Sequence, residues 1–234
     1  HSDPIDETLM QAIAAENNLS ETAFINTQND NQIRFFTPEL EVDLCGHATL
    51  ASAFVFFNYL DKPQDKITFS SKRGELIADK TEKGIKLILP KDNPEPFAEI
   101  DLFSNMLGCK VLEVYRGIDD FMVVVEGETE VKDMKPDFNE ISKLDSRGLI
   151  VTAHGVDVDF VSRWFGPQTG VDEDPVTGSA HTLLTPYWSQ KLGKNIMNAK
   201  QLSKRGGFII CEVKDKAIEI TGQAKLYLRG SIEL

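Results

Sequence analysis

The strongest constraint on how this chain can fold is a motif that occurs twice. Arg34-Phe35-Phe36-Thr37-Pro38 leads through an acidic connector to Cys45-Gly46-His47-Ala48. Arg163-Trp164-Phe165-Gly166-Pro167 leads through a second connector to Thr177-Gly178-Ser179-Ala180. The connectors hold seven residues (39–45) and ten residues (168–177). Each copy ends in a glycine turn that opens an apolar helical stretch. So many matching elements in one order point to a duplication, and hence to two similar lobes. A glycine turn at a helix start presents free backbone N–H groups and the positive end of the helix dipole. Two such turns facing one cleft would hold a small anionic ligand between the lobes.

Composition narrows the partners. The 234 residues, 41% hydrophobic, suffice for one large domain or two small lobes with ample core. A net charge of −12 argues against nucleic acid, which requires clustered Lys and Arg. There is no basic amphipathic segment for a membrane surface. The longest apolar run, Leu50 to Phe57, contains Ser52 and is far too short to span a bilayer. Cys45, Cys109 and Cys211 lie far apart, without CxxC or Cys/His spacing. A disulfide scaffold and a zinc site are both poor readings, so no metal is expected. With no apolar leader stretch in view, a reducing cytoplasm is the expected setting.

The periodicity predicts helices over Asp6–Asn17, His47–Tyr59, Ile100–Leu107, Pro136–Leu144 and Ser179–Leu192. Strands are expected at Glu21–Ile25, Gln32–Phe36, Ile67–Ser70, Gly74–Ala78, Gly84–Leu89, Val111–Arg116, Phe121–Glu126, Gly148–Thr152 and Phe160–Phe165. A C-terminal meander is expected over Gly207–Val213, Ala217–Gly222 and Lys225–Leu234. Strands in groups with one long helix per half read as an α+β fold rather than a doubly wound one. The proline-rich stretch 90–96 marks the lobe boundary. The expected division is 1–92, 93–225 and a strand over 226–234 returning to the first lobe.

Six positions could carry chemistry. Glu21, at a strand entry beside an apolar run, is either a solvated carboxylate or a general acid/base. His47, after Gly46 at a helix start, is expected to be neutral, because the dipole disfavours the cation. Asp174 before Pro175 is a turn former or a ligand group, and Ser179 is an N-cap or a ligand donor. Cys45 is either a thiolate activated by the helix start or a small half-buried residue. Thr177 stands at its equivalent place in the second copy. No GxSxG, GxGxxG or GxxxxGK[ST] occurs, so a serine hydrolase and nucleotide binding lack support.

With these residues in view, the chain resembles the phenazine-biosynthesis PhzF-like family, within the diaminopimelate-epimerase-like folds. The likeness rests on Asn18-Leu19-Ser20-Glu21-Thr22-Ala23-Phe24, on the first repeat through Thr49, and on Asp159-Phe160-Val161-Ser162-Arg163. It rests above all on Asp174-Pro175-Val176-Thr177-Gly178-Ser179-Ala180-His181, with Arg205-Gly206-Gly207 and Gly222-Gln223-Ala224 in support. The resemblance implies two lobes, each a curled mixed sheet around a central helix. It implies a cofactor-free isomerase, commonly a homodimer, acting on a small anionic substrate. Glu21 matches the family's acid/base, and His47, Asp174 and Ser179 match residues around the substrate. Gly46, Gly178, Thr177 and Cys45 complete the expected substrate-binding set. Family chains usually open with a strand bearing a Gly-Asn-Pro turn, whereas this sequence opens close to the first helix, so the expected first lobe lacks that strand. A two-base epimerase would need a base at both connector ends, and a threonine hydroxyl at 177 is far too weak to replace a thiolate. A non-catalytic anion-binding protein is the alternative from another class. A hydrolase using Ser179 with His47 or His181 ranks last, neither histidine being expected to lie against a carboxylate.

Overall fold

The structure is a computed structural model and describes residues 5–60 and 64–232. The first half runs α1 (Glu7–Asn17), β1 (Thr22–Asn26), β2 (Gln32–Phe36), β3 (Glu41–Val42), α2 (Gly46–Tyr59), β4 (Lys66–Ser71), β5 (Gly74–Thr81) and β6 (Gly84–Pro90). The second half opens with β7 (Glu95–Pro96), α3 (Ile100–Leu107), β8 (Val111–Arg116), β9 (Asp120–Val125), α4 (Glu128–Asp133) and α5 (Phe138–Ile141). It continues with β10 (Gly148–His154), β11 (Phe160–Gly166), a 3-10 turn (Pro167–Thr169) and β12 (Val171–Glu173). It closes with α6 (His181–Leu192), β13 (Ile196–Gln201), β14 (Gly207–Val213) and β15 (Ala217–Gly222). The fold is α+β: one large curled mixed sheet with few helices. Its strand order is β1-β2-β4-β5-β6-β15-β14-β13-β11-β10-β9-β8-β7, with β3 on β2 and β12 on β11.

The sequence repeat is also a repeat of structure. In the first half β2 turns back on the short β3, passes through α2 and pairs in parallel with β4. In the second half β11 turns back on β12, passes through α6 and pairs in parallel with β13. The repeated arginines explain the acidic connectors. Arg34 forks onto Glu41 at 2.8 and 2.7 Å and lies over the Phe36 ring. Arg163 forks onto Glu173 at 2.7 and 3.0 Å and lies over the Phe165 ring. Each bidentate pair pins the return of the connector, which sets where the following glycine turn lands.

The halves are joined by β15, which pairs antiparallel with β6 from Ala217↔Pro90 to Gly222↔Ile85. One apolar core runs across that joint, containing Phe35, Phe69 and Leu87 from the first half and Ile150, Phe160 and Ile220 from the second. A smaller core around Phe103, Val123 and Phe165 belongs to the second half alone. Both long helices pack in the shared core, so their first turns point at one place.

Three local expectations are corrected. Residues 226–232 form no strand: they pair with none of the described strands, and Tyr227 is 98% exposed. Residues 233 and 234 of that expected strand, like 1–4 of the expected first lobe, lie outside the described residues. Helix α6 begins at His181, not Ser179, because Gly178–Ala180 form tight turns first, with His181 N–H donating to Gly178 O and Thr182 N–H to Ser179 O. The third is α5, which covers only Phe138–Ile141 because Asp137 caps it through Asn139 and Glu140 N–H. No helix among the described residues is long and apolar enough to cross a membrane.

Candidate active site

The two glycine turns meet main chain to main chain. A Cβ built on Gly46 would lie 2.8 Å from the Gly178 Cα, and one on Gly178 would lie 3.0 Å from the Gly46 Cα. Only glycine at both places allows this approach. The first-turn amides of α2 have no intrahelical acceptor and remain available to an anion. Beside the contact is a cavity of ≈ 20 Å³ that opens to solvent. Glu21, Cys45, His47, Asp174, Thr177 and Ser179 all line it, together with both glycines and Arg147. All eight sequence-predicted site residues therefore come together at one place.

His47 sits at the centre of the polar contacts. Its Nε2 is 3.0 Å from Glu21 Oε2, and its Nδ1 is 3.0 Å from the Val176 carbonyl of the other half. A carbonyl only accepts, so the hydrogen-bond network puts a proton on Nδ1 and turns Nε2 toward Glu21. Asp174 Oδ2 is 3.7 Å from Nδ1 and accepts from the Thr177 hydroxyl at 2.6 Å. Behind this loop the buried Gln201 donates to the Asp174 carbonyl and accepts from Thr177 N–H, both at 2.7 Å. Gln201 thus holds the turn that carries Asp174 and Thr177.

The electrostatics follow from burial and neighbours. Burial alone would lower the His47 pKa, but Cys45, Glu21 and Asp174 outweigh it and hold the pKa well above the ordinary value. Burial raises the Asp174 pKa, with His47 pulling the other way and Glu21 adding to the rise. Burial likewise raises the Cys45 thiol, against the pull of His47. One expectation falls here: the imidazole is not kept neutral by its helix, because Cys45, Glu21 and Asp174 together raise its pKa. Of the two readings of Cys45, burial favours the small buried residue over the activated thiolate.

A pH dependence follows. A pKa raised in the folded state gives stability that is complete below the ordinary value of 6.5 and is lost as pH climbs through the folded value. The wild type should therefore lose thermal stability as pH rises above 6.5, and His47→Asn should flatten that slope. Melting temperatures measured across neutral and alkaline pH check this; equal slopes for both proteins would contradict it.

Glu21, Cys45 and His47 each bring one potential ligand atom within 4.8 Å of the others. The sulfur, however, is 3.6 Å from Nε2 and 3.7 Å from Nδ1. Equal distances put it off the Nε2 lone-pair direction, so the trio is not arranged as a metal ligand set. The hydrolase expectation fails differently. His47 does lie against a carboxylate, Glu21, contrary to expectation. Ser179 Oγ nevertheless accepts from Arg147 Nη1 at 2.8 Å, and arginine cannot take a proton as a base must. His181 is fully buried, its pKa lowered by burial to about 4, with Nδ1 on the Thr177 carbonyl.

Two participants escaped the sequence reading, Arg147 and Gln201. Both act on residues 24–32 positions away, and neither carries a local motif.

Twin glycine turns that meet across a curled sheet, with Glu21, His47 and Asp174 at their contact, define an epimerase-like fold. The profile of the PhzC-PhzF family, "Phenazine biosynthesis-like protein", matches residues 1–230, and the chain belongs to that family. An uncharacterized isomerase from Pseudomonas aeruginosa is 46% identical over 231 residues, covering 98% of this chain and 89% of the relative. The crystal structure of a PhzF-family phenazine biosynthesis protein from Enterococcus faecalis superposes with a TM-score of 0.94. It is 44% identical, with 100% of this chain and 90% of that one covered. A probable proline racemase from Agrobacterium radiobacter, with bound carbonate, shares the fold at a TM-score of 0.62 and 8% identity, over 96% of this chain and 82% of its own. Family and relatives together support an isomerase role in general.

Proposed function

We propose that the chain is a cofactor-independent isomerase that moves a proton within a small, cyclic or amino, carboxylic acid. The observation that carries this reading is the 3.0 Å contact between Glu21 Oε2 and His47 Nε2, at a cavity lined by both glycine turns. At that distance Glu21 Oε2 and His47 Nε2 are close enough to pass a proton between them. Glu21 removes a proton from a carbon acidified by a neighbouring unsaturated or carbonyl group. The proton is returned elsewhere on the same substrate, with His47 passing it and Asp174 orienting His47. The first-turn amides at Gly46, the turn amides at Gly178 and the Ser179 hydroxyl hold the substrate carboxylate. The local dipoles attract an anion even in a chain of net charge −12. Acid, base and anion holder all come from the chain itself, which supports cofactor independence. Homodimeric assembly and a cytoplasmic setting, implied by the resemblance and the cysteine pattern, belong to the same proposal.

The test is a screen in D2O. Cyclic and amino carboxylic acids are incubated with the protein and read by NMR for deuterium at carbon. Uptake into at least one acid is expected; a complete lack of uptake across the panel would favour an anion-binding protein instead.

A further inference from the structure

We propose that Arg147 is a positioning residue that presets the Ser179 hydroxyl as a donor and marks where the anionic group of the ligand sits. This rests on the isomerase reading, which makes that group a carboxylate and Glu21 the base.

Arg147 lies between α5 and β10 and lines the cavity. Asp120, 4% exposed on β9, receives its Nε at 3.0 Å and its Nη2. Its Nη1 donates to Ser179 Oγ at 2.8 Å, and the guanidinium lies 5.4 Å from the centre of the Trp164 ring. Arginine is a donor only, and a serine hydroxyl has one hydrogen. Ser179 Oγ must accept from Arg147, so its own hydrogen is left to donate to a ligand. Trp164 also lines the cavity, and its buried Nε1–H has no acceptor among the described residues.

The cavity lining thus divides into two chemical groups. Glu21, His47 and Asp174 are groups that can take or give a proton, whereas toward a ligand Arg147, Ser179 and Trp164 offer hydrogen-bond donors or positive charge. A ligand with one carboxylate is oriented by that division: its anion faces the donors, and the carbon to be deprotonated faces Glu21. Stability alone does not explain the arrangement, since a buried ion pair is at best a weak stabiliser compared with apolar residues of similar volume.

The test uses benzoate as the probe, with binding read by isothermal titration calorimetry on the full chain. Loss of a charged hydrogen bond predicts that Arg147→Ala weakens benzoate by about tenfold or more. Arg147→Lys should recover part of the loss, and millimolar guanidinium should restore binding to Arg147→Ala, which a purely structural defect would not allow. In a Ser179→Ala background the same Arg147 substitution should cost much less, because the arginine acts through that hydroxyl. Unchanged benzoate affinity in folded Arg147→Ala, losses that simply add, or a wild type that does not bind benzoate would each overturn the proposal. If Arg147→Ala does not fold, Arg147→Lys and the Ser179→Ala cycle built on it carry the same comparison. Benzoate binding involves no proton transfer, so its failure is distinct from failure of the D2O screen.

Discussion

Glu21→Gln is expected to reduce deuterium uptake into an accepted acid by about 10³-fold while leaving its binding within a few-fold of wild type. Glutamine keeps the size and one acceptor oxygen of glutamate but cannot take a proton. It still fills the place beside His47 Nε2, so the cavity keeps its shape. General acid–base groups contribute about 10²–10⁴ in rate, and Glu21 is the carboxylate closest to the His47 imidazole at 3.0 Å. Asp174 is the competing assignment. It lies 3.7 Å from His47, faces Thr177 at 2.6 Å and is almost wholly buried. Its Oδ2 is taken by the Thr177 hydroxyl, so Asp174→Asn should lower the rate less than Glu21→Gln. Exchange that persists at the wild-type rate in Glu21→Gln, measured by NMR in D2O, would remove Glu21 from the mechanism.

Gly46→Ala should both destabilise the chain and disturb the site. In an ordinary helix, replacing glycine by alanine stabilises by about 0.5–1 kcal/mol. Here the new Cβ would meet Gly178 Cα at 2.8 Å, Gly178 C at 3.2 Å and Ser179 N at 3.3 Å. All three are backbone atoms and cannot rotate away. The turns must separate, which reverses the sign to a loss of about 1–3 kcal/mol, as for other overpacked sites. The same shift moves the amides of both turns relative to Glu21, and displacements approaching 1 Å cost about 10² in rate. Thermal unfolding and the D2O exchange rate measure the two effects. A stabilised and active Gly46→Ala variant would show that the turns do not need to touch.

The duplication was the most legible part of the sequence, because it names both turns without reference to any contact. It also identified the elements around them, since β2, α2, β11 and α6 carry strong apolar patterns. Weaker elements were missed for physical reasons. Helix α4, Glu-Thr-Glu-Val-Lys-Asp, has one apolar residue, Val131. Strand β13 buries Met197, Ala199 and Gln201 in alternation, and the glutamine hides the period. The tail from 225 has a strand-like composition but no described partner, and composition alone does not supply one. Within the site, Glu21, His47 and Asp174 could be named individually. The sign of the His47 shift could not, because beside Cys45 it depends on acidic groups 26 and 127 residues away. Arg147 was invisible for the same reason: its partners Asp120 and Ser179 are 27 and 32 residues distant.

The meeting of Gly46 with Gly178 also bears on selectivity. Where two peptide backbones touch, no side chain is available to be varied, and the proton-handling residues are tied to one another. On the proposed reading, the freedom to accept one acid and refuse another is left to the remaining wall, formed by Val42, Leu44 and Thr169. Changes of bulk or polarity at those three positions would redraw the outline a substrate must fit while the groups behind it stay the same.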